Sequence, residues 1–150
     1  MAYFAALLVH TDHEWVASDI EIDEIEDPNA MAALMRGAGA DDRPVLLLIE
    51  QEDAWFAVVR VEGEDDPRVF VSDAAAVGRS AYGEVLLTWG EDVLAELGAR
   101  PAGDDELLTD LGTPPEVLLQ LCTRGGLLPA DAISEIADRA GCADELESVR

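Results

Sequence analysis

Five consecutive apolar residues, Val45-Leu46-Leu47-Leu48-Ile49, constrain the fold of this chain more than any other feature. A strand sends successive side chains to opposite faces, so an apolar run without alternation has to be covered on both sides. Its place is the centre of a sheet. The segments around it supply neighbours. Residues 3–9 and 14–22 are β-capable runs on either side of the polar turn His10-Thr11-Asp12-His13, which predicts a hairpin. Residues 54–62 and 68–71 follow the central run after short polar turns. In the first of these Trp55, Ala57, Val59 and Val61 alternate with Phe56, Val58, Arg60 and Glu62. Turns this short join antiparallel neighbours.

Helical punctuation separates and follows these strands. Asp27-Pro28 offers an N-cap with a first-turn proline, and Ala30, Met31, Ala33, Leu34 and Met35 make a stripe that Gly37 and Gly39 close. After Ser72-Asp73 the period shifts from two to about 3.6. Ser80 is placed to cap a helix bearing Tyr82, Val85, Leu86 and Trp89. Farther on, Thr113-Pro114-Pro115-Glu116 reads as a capping box ahead of Val117, Leu118, Leu121 and Cys122. Pro129 opens a last helix with Ile133, Ile136, Ala137 and Ala140, which Gly141 stops, and Leu146 marks a short extra turn. The expected fold is α+β: an antiparallel sheet of about five strands in ββαβββ order, then a C-terminal helical region containing a helical hairpin. Residues 1–97 form the body, 98–112 a linker rich in glycine and proline, and 113–150 a helical tail packed on the body as one domain.

Charge narrows the function. The 150 residues hold 33 Asp and Glu against nine Arg and no Lys, a net charge of −24. A fold of this size exposes roughly 7,400 Å², so the surface carries about one unbalanced carboxylate per 300 Å². Nucleic-acid binding needs clustered cations that displace counterions from phosphates. The arginines are instead scattered from Arg36 to Arg150, which excludes a free-standing DNA or RNA binder. The hydrophobic content of 49% is far above that of a disordered acidic chain. No run reaches the ~18 apolar residues of a bilayer crossing, and no basic residue precedes the apolar start as a secretory signal requires. Cys122 and Cys142 do not make a disulfide framework, and a reduced, cytoplasmic setting is expected.

No catalytic set, cofactor site or metal site emerges. His10, Asp12 and His13 cluster in one turn, without the third or fourth convergent ligand that zinc demands. The acidic run over residues 19–27 holds six carboxylates but fails the calcium-loop pattern, with Glu24 where glycine is needed and Ala30 where a bidentate acid is needed. Gly37-Ala38-Gly39 follows a helix, so it is a helix stop and no phosphate cradle. Cys122, on an apolar helix face, reads as a small hydrophobe. Ser72 and Ser80 lack a nucleophile-elbow context. One segment stands apart: Arg68 lies between Asp66 and Asp73 at the start of a strand. Its ordinary role is a surface ion pair. Its other role is partner contact, because arginine recognises carboxylates bidentately, and Asp66, Arg68 and Asp73 are the candidate contact residues.

In their order along the chain, Tyr3-Phe4-Ala5-Ala6, the run from Val45 to Glu50, Phe56-Ala57-Val58-Val59-Arg60-Val61, the stretch from Asp66 to Asp73, Leu108-Thr109-Asp110-Leu111-Gly112-Thr113, Leu128-Pro129-Ala130-Asp131 and Ala143-Asp144-Glu145-Leu146 resemble the actinobacterial tRNA adenosine deaminase-associated protein family. The resemblance spans nearly the whole chain. It implies an association with the zinc enzyme that converts wobble adenosine to inosine, and it carries no site residues. The His-x-Glu and Pro-Cys-x-x-Cys motifs of that enzyme do not occur here. A non-catalytic acidic accessory protein that binds the deaminase or another basic protein is therefore expected. The alternatives are an acidic nucleic-acid mimic that fills an RNA channel, and a chaperone-like module for basic clients.

Overall fold

The run Val45–Ile49 lies in the interior of a six-stranded antiparallel sheet, flanked on each side by a strand of equal length. The structure is a computed structural model and describes residues 3–10, 14–20, 28–38, 44–51, 55–62, 68–73, 102–103, 105–123 and 128–149. Strands β1 (Tyr3–His10), β2 (Trp15–Asp19), β3 (Pro44–Gln51), β4 (Trp55–Glu62), β5 (Arg68–Val71) and β6 (Ala102–Gly103) are arranged β2-β1-β3-β4-β5-β6. Both β2 and β3 run antiparallel to β1, so they are parallel to one another across it. A parallel pair cannot be joined by a tight turn. Helix α1 (Pro28–Ala38) makes the crossover.

The ββαβββ order and the helices after it are as the sequence predicts. Ala102–Gly103 adds a short sixth strand against β5, pairing Phe70 with Gly103 and Val71 with Ala102. Near it, within the stretch read as a linker, Leu107 and Leu108 are completely buried.

Register assigns every strand residue to a face. Ala6, Leu8, Leu46, Leu48, Phe56, Val58 and Phe70 share one face, where they pack with Leu118, Leu121, Ala132, Ile133, Ile136, Ala137 and Leu146. Those partners come from α2 (Pro115–Thr123), α3 (Pro129–Ala140) and α4 (Ala143–Ser148). The opposite face carries Ala5, Leu7, Val45, Leu47, Ile49, Ala57, Val59 and Val71, all buried, and α1 packs there against β3 and β4 with Met35 fully enclosed. β3 is thus dry on both sides, as its lack of alternation requires. β4 is also dry on both sides, despite its alternating pattern.

The helix ends correct one detail of the sequence reading. Thr113 does not cap α2. Its N–H donates to the Leu108 carbonyl (3.0 Å), which turns its side chain inward, and its fully buried hydroxyl has no hydrogen-bond partner. The first turn of α2 closes instead on the Pro114 carbonyl, 3.0 Å from the amides of Val117 and Leu118. Helix α1 ends at Ala38, between the two glycines read as closing it. Gly141 does end α3, in a left-handed conformation (φ 86°) that brings the Cys142 amide onto the Ala137 carbonyl at 2.8 Å. Among the described residues no helix is long and apolar enough to cross a membrane. The helix predicted around Ser80 to Trp89 lies outside the described residues.

Candidate functional site

Among the described residues two charged side chains are buried in the sheet, Glu50 on β3 and Arg60 on β4. Arg60, on β4, is only 4% exposed and lies on the face covered by the C-terminal helices. Burying a guanidinium is tolerable only when its protons are matched by acceptors. One of its Nη atoms donates to the Leu107 carbonyl at 2.5 Å and to Asp110 Oδ1 at 2.6 Å, and the other donates to Asp110 Oδ2 at 2.8 Å. The fork is bidentate, the strong geometry for this pair. Asp110 belongs to a 3-10 turn, Thr109–Leu111, and its side chain is 66% exposed. Hydrogen bonds from Arg60 hold its carboxyl below the usual carboxylate range; partial burial opposes this, and the charges of Arg60 and Arg68 reinforce it. The pair therefore clamps the 105–112 segment to the sheet.

Two further contacts extend the clamp. Gly112 sits at φ 94°, and a Cβ there would meet the Arg139 carbonyl oxygen at 2.6 Å. Only glycine lets the turn approach α3 so closely. The Arg139 guanidinium in turn donates to the Gly112 carbonyl at 3.2 Å. At the far side of the sheet the buried Trp15 indole donates to the Ala140 carbonyl at 3.1 Å, with the His10 ring tilted against it at a centroid distance of 4.7 Å. Trp15 thereby fastens β2 to the end of α3.

The predicted contact residues divide. Arg68 is exposed at the start of β5 and stands directly opposite Arg60 in the β4–β5 register. Asp73 is half-buried just past the end of β5, and Asp66 lies outside the described residues. The charge of Arg68 also acts on Asp110, a residue the sequence reading did not connect with it. Arg60 and Asp110, fifty positions apart, stand in the sequence only within longer segments, and nothing there pairs them. The signal that was available is a lone arginine between Val59 and Val61 in an otherwise apolar strand.

The nucleophile and ligand candidates are chemically quiet. Burial pushes the Cys122 thiol up to about 12, and its Sγ contacts the Leu118 carbonyl at 3.4 Å. Cys142, between α3 and α4, is pushed up to about 12 by burial and by the nearby charge of Glu145. A thiol held that high is almost entirely protonated at neutral pH and a poor nucleophile. Among the described residues no three His, Cys, Asp or Glu side chains converge as a metal site. His10 is engaged with Trp15, while Asp12 and His13 lie outside the described residues.

Comparison with known proteins gives one consistent signal. A family model described as Rv3753c-like tRNA adenosine deaminase-associated protein matches residues 3–143. Protein Rv3753c of Mycobacterium tuberculosis is 28% identical over 160 residues, an alignment that covers 97% of this chain and 86% of the relative. No solved structure matches at a significant level.

Proposed function

The chain belongs to the Rv3753c-like tRNA adenosine deaminase-associated protein family, and from that premise we propose that it is a non-catalytic acidic accessory protein that binds a basic surface of the tRNA adenosine deaminase in the cytoplasm. The observation that carries the reading is the charge: 33 acids against nine arginines on a folded chain. An enzyme that handles tRNA presents cations to phosphates. An anionic globule is drawn to such a surface by long-range attraction, which raises the encounter rate and weakens with salt.

The chemistry of the described residues agrees with a role through contact. The one deeply buried cation is neutralised in place by Asp110 and the Leu107 carbonyl, and both thiols are held protonated. The test is co-purification of the two proteins at low ionic strength, together with steady-state tRNA deamination. A complex that leaves turnover unchanged or improved supports the accessory role. A complex that inhibits in competition with tRNA replaces it with nucleic-acid mimicry, and the absence of any complex overturns it.

A further inference from the structure

We infer that the outer edge of β2 is a docking site for an extended, cationic segment of a partner protein, which would add to the sheet as a further antiparallel or parallel strand. This deepens the accessory reading above by giving the partner a place to bind. The inference starts from hydrogen-bond parity. The Ile20 amide donates to the Ala5 carbonyl at 3.1 Å, and Ala6 faces Asp19 in the register. In an antiparallel ladder the residues that bond to the neighbour alternate. The backbone groups of Val16, Ser18 and Ile20 therefore point toward β1, whereas those of Trp15, Ala17 and Asp19 point outward. Among the described residues β2 pairs with β1 alone, at the end of the sheet.

An unpaired edge is a template for another strand, and proteins ordinarily blunt such edges. This one is held rigid. The Trp15 indole is tied to the Ala140 carbonyl, with the His10 ring tilted against it, and α4 packs against β2. A preformed edge lowers the ordering cost of strand addition. Val16, next to the outward groups, is 47% exposed and supplies an apolar contact for an incoming side chain.

Charge selects the occupant. Asp19, at the end of the strand, is exposed. A second copy would set two chains of −24 against each other, which disfavours self-pairing. A strand with Lys or Arg at the alternate positions that share the Asp19 face meets that carboxylate with opposite charge while its main chain satisfies Ala17 and Asp19.

The experiment is amide hydrogen exchange on the labelled full chain, with two probes added separately: the purified tRNA adenosine deaminase, and an end-blocked peptide of about eight residues alternating Lys and Val. Exchange at Ala17 and Asp19 is expected to slow about tenfold or more at saturation, with Val16 and Ser18 little changed because they are already bonded. An alternating Glu-Val peptide is expected to leave all four amides unchanged. The variant Asp19→Lys, at an exposed position, is expected to weaken both probes several-fold. Ala17→Pro removes an outward N–H and is expected to do the same. Protection by the peptide without binding of the deaminase supports the edge and overturns the deaminase as partner. Binding of the deaminase with Ala17 and Asp19 still exchanging freely overturns the edge and leaves the accessory reading intact. Protection by neither probe also overturns the edge.

Discussion

The centre of the sheet and its β2 edge use similar residues under opposite conditions. At the centre, β3 and β4 are enclosed on both faces, and the one cation there, Arg60, has its counter-charge and carbonyl acceptor within 2.8 Å. At the edge, Trp15 is buried and Ala17 on the same face is half-buried, while Val16 and Ser18 on the other face and Asp19 at the strand end are exposed. The difference separates two jobs. Charge that is balanced inside the fold holds elements together and offers nothing to a partner. Charge exposed at the rim adds little to stability and stands where a partner can reach it.

If that separation holds, substitutions should rank by region. Leu48→Ala, in the middle of β3 with no exposed surface, is expected to cost about 4 kcal/mol in urea unfolding through lost burial and a residual cavity. A loss below about 1 kcal/mol would show that the sheet centre is not closed. Next comes Gly112→Ala, which combines a strained positive φ with a clash against the Arg139 carbonyl. It is expected to cost about 2 to 3 kcal/mol. Gly141→Ala is the control, having a similar φ and nothing within 4 Å of the new methyl, and should cost about 1 kcal/mol.

Asp110→Asn is expected to have a smaller effect, about 1 kcal/mol at neutral pH, because the carboxylate is largely solvated and Leu107 still receives a proton from Arg60. Its sign with pH is diagnostic. The folded pKa of Asp110 lies below its ordinary value of 3.8, so its stabilising contribution is complete well above that value and is lost as pH falls toward the folded pKa. The gap between the parent chain and Asp110→Asn should therefore close in acid, measured as the difference in unfolding midpoint. A gap that widened there would show that the carboxylate is not the group paired with Arg60. Last, Val16→Thr on the edge is expected to change stability by no more than about 0.5 kcal/mol. A large loss would mean that Val16 belongs to the core and cannot serve a partner.

The same contrast explains what the sequence revealed. Local pattern located the strands and C-terminal helices, because alternation, its absence in Val45–Ile49, and the Pro129 and Gly141 signals are read within a few residues. The clamp was hidden because its parts are distant. Arg60 looks like the polar member of an alternating strand until Leu107 and Asp110 arrive from the far side of the sheet. Thr113 misled for a related reason: its spacing to Glu116 fits a capping box, but the Leu108 carbonyl takes its amide and turns it into the core. The contact role of Arg68 and Asp73 was read from local charge. The structure adds the register pairing of Arg68 with Arg60 and the influence of Arg68 on Asp110. The sequence did not mark β2 as the exposed edge either, because strand order depends on α1 carrying the chain across β1.

The central claim is that this protein acts by contact between its anionic rim and a cationic partner. It is tested most directly by calorimetric titration into the purified tRNA adenosine deaminase across a series of salt concentrations. The account predicts saturable binding at low salt, with an affinity that falls steadily as salt rises. Binding indifferent to salt, or no binding at the lowest salt, would contradict it.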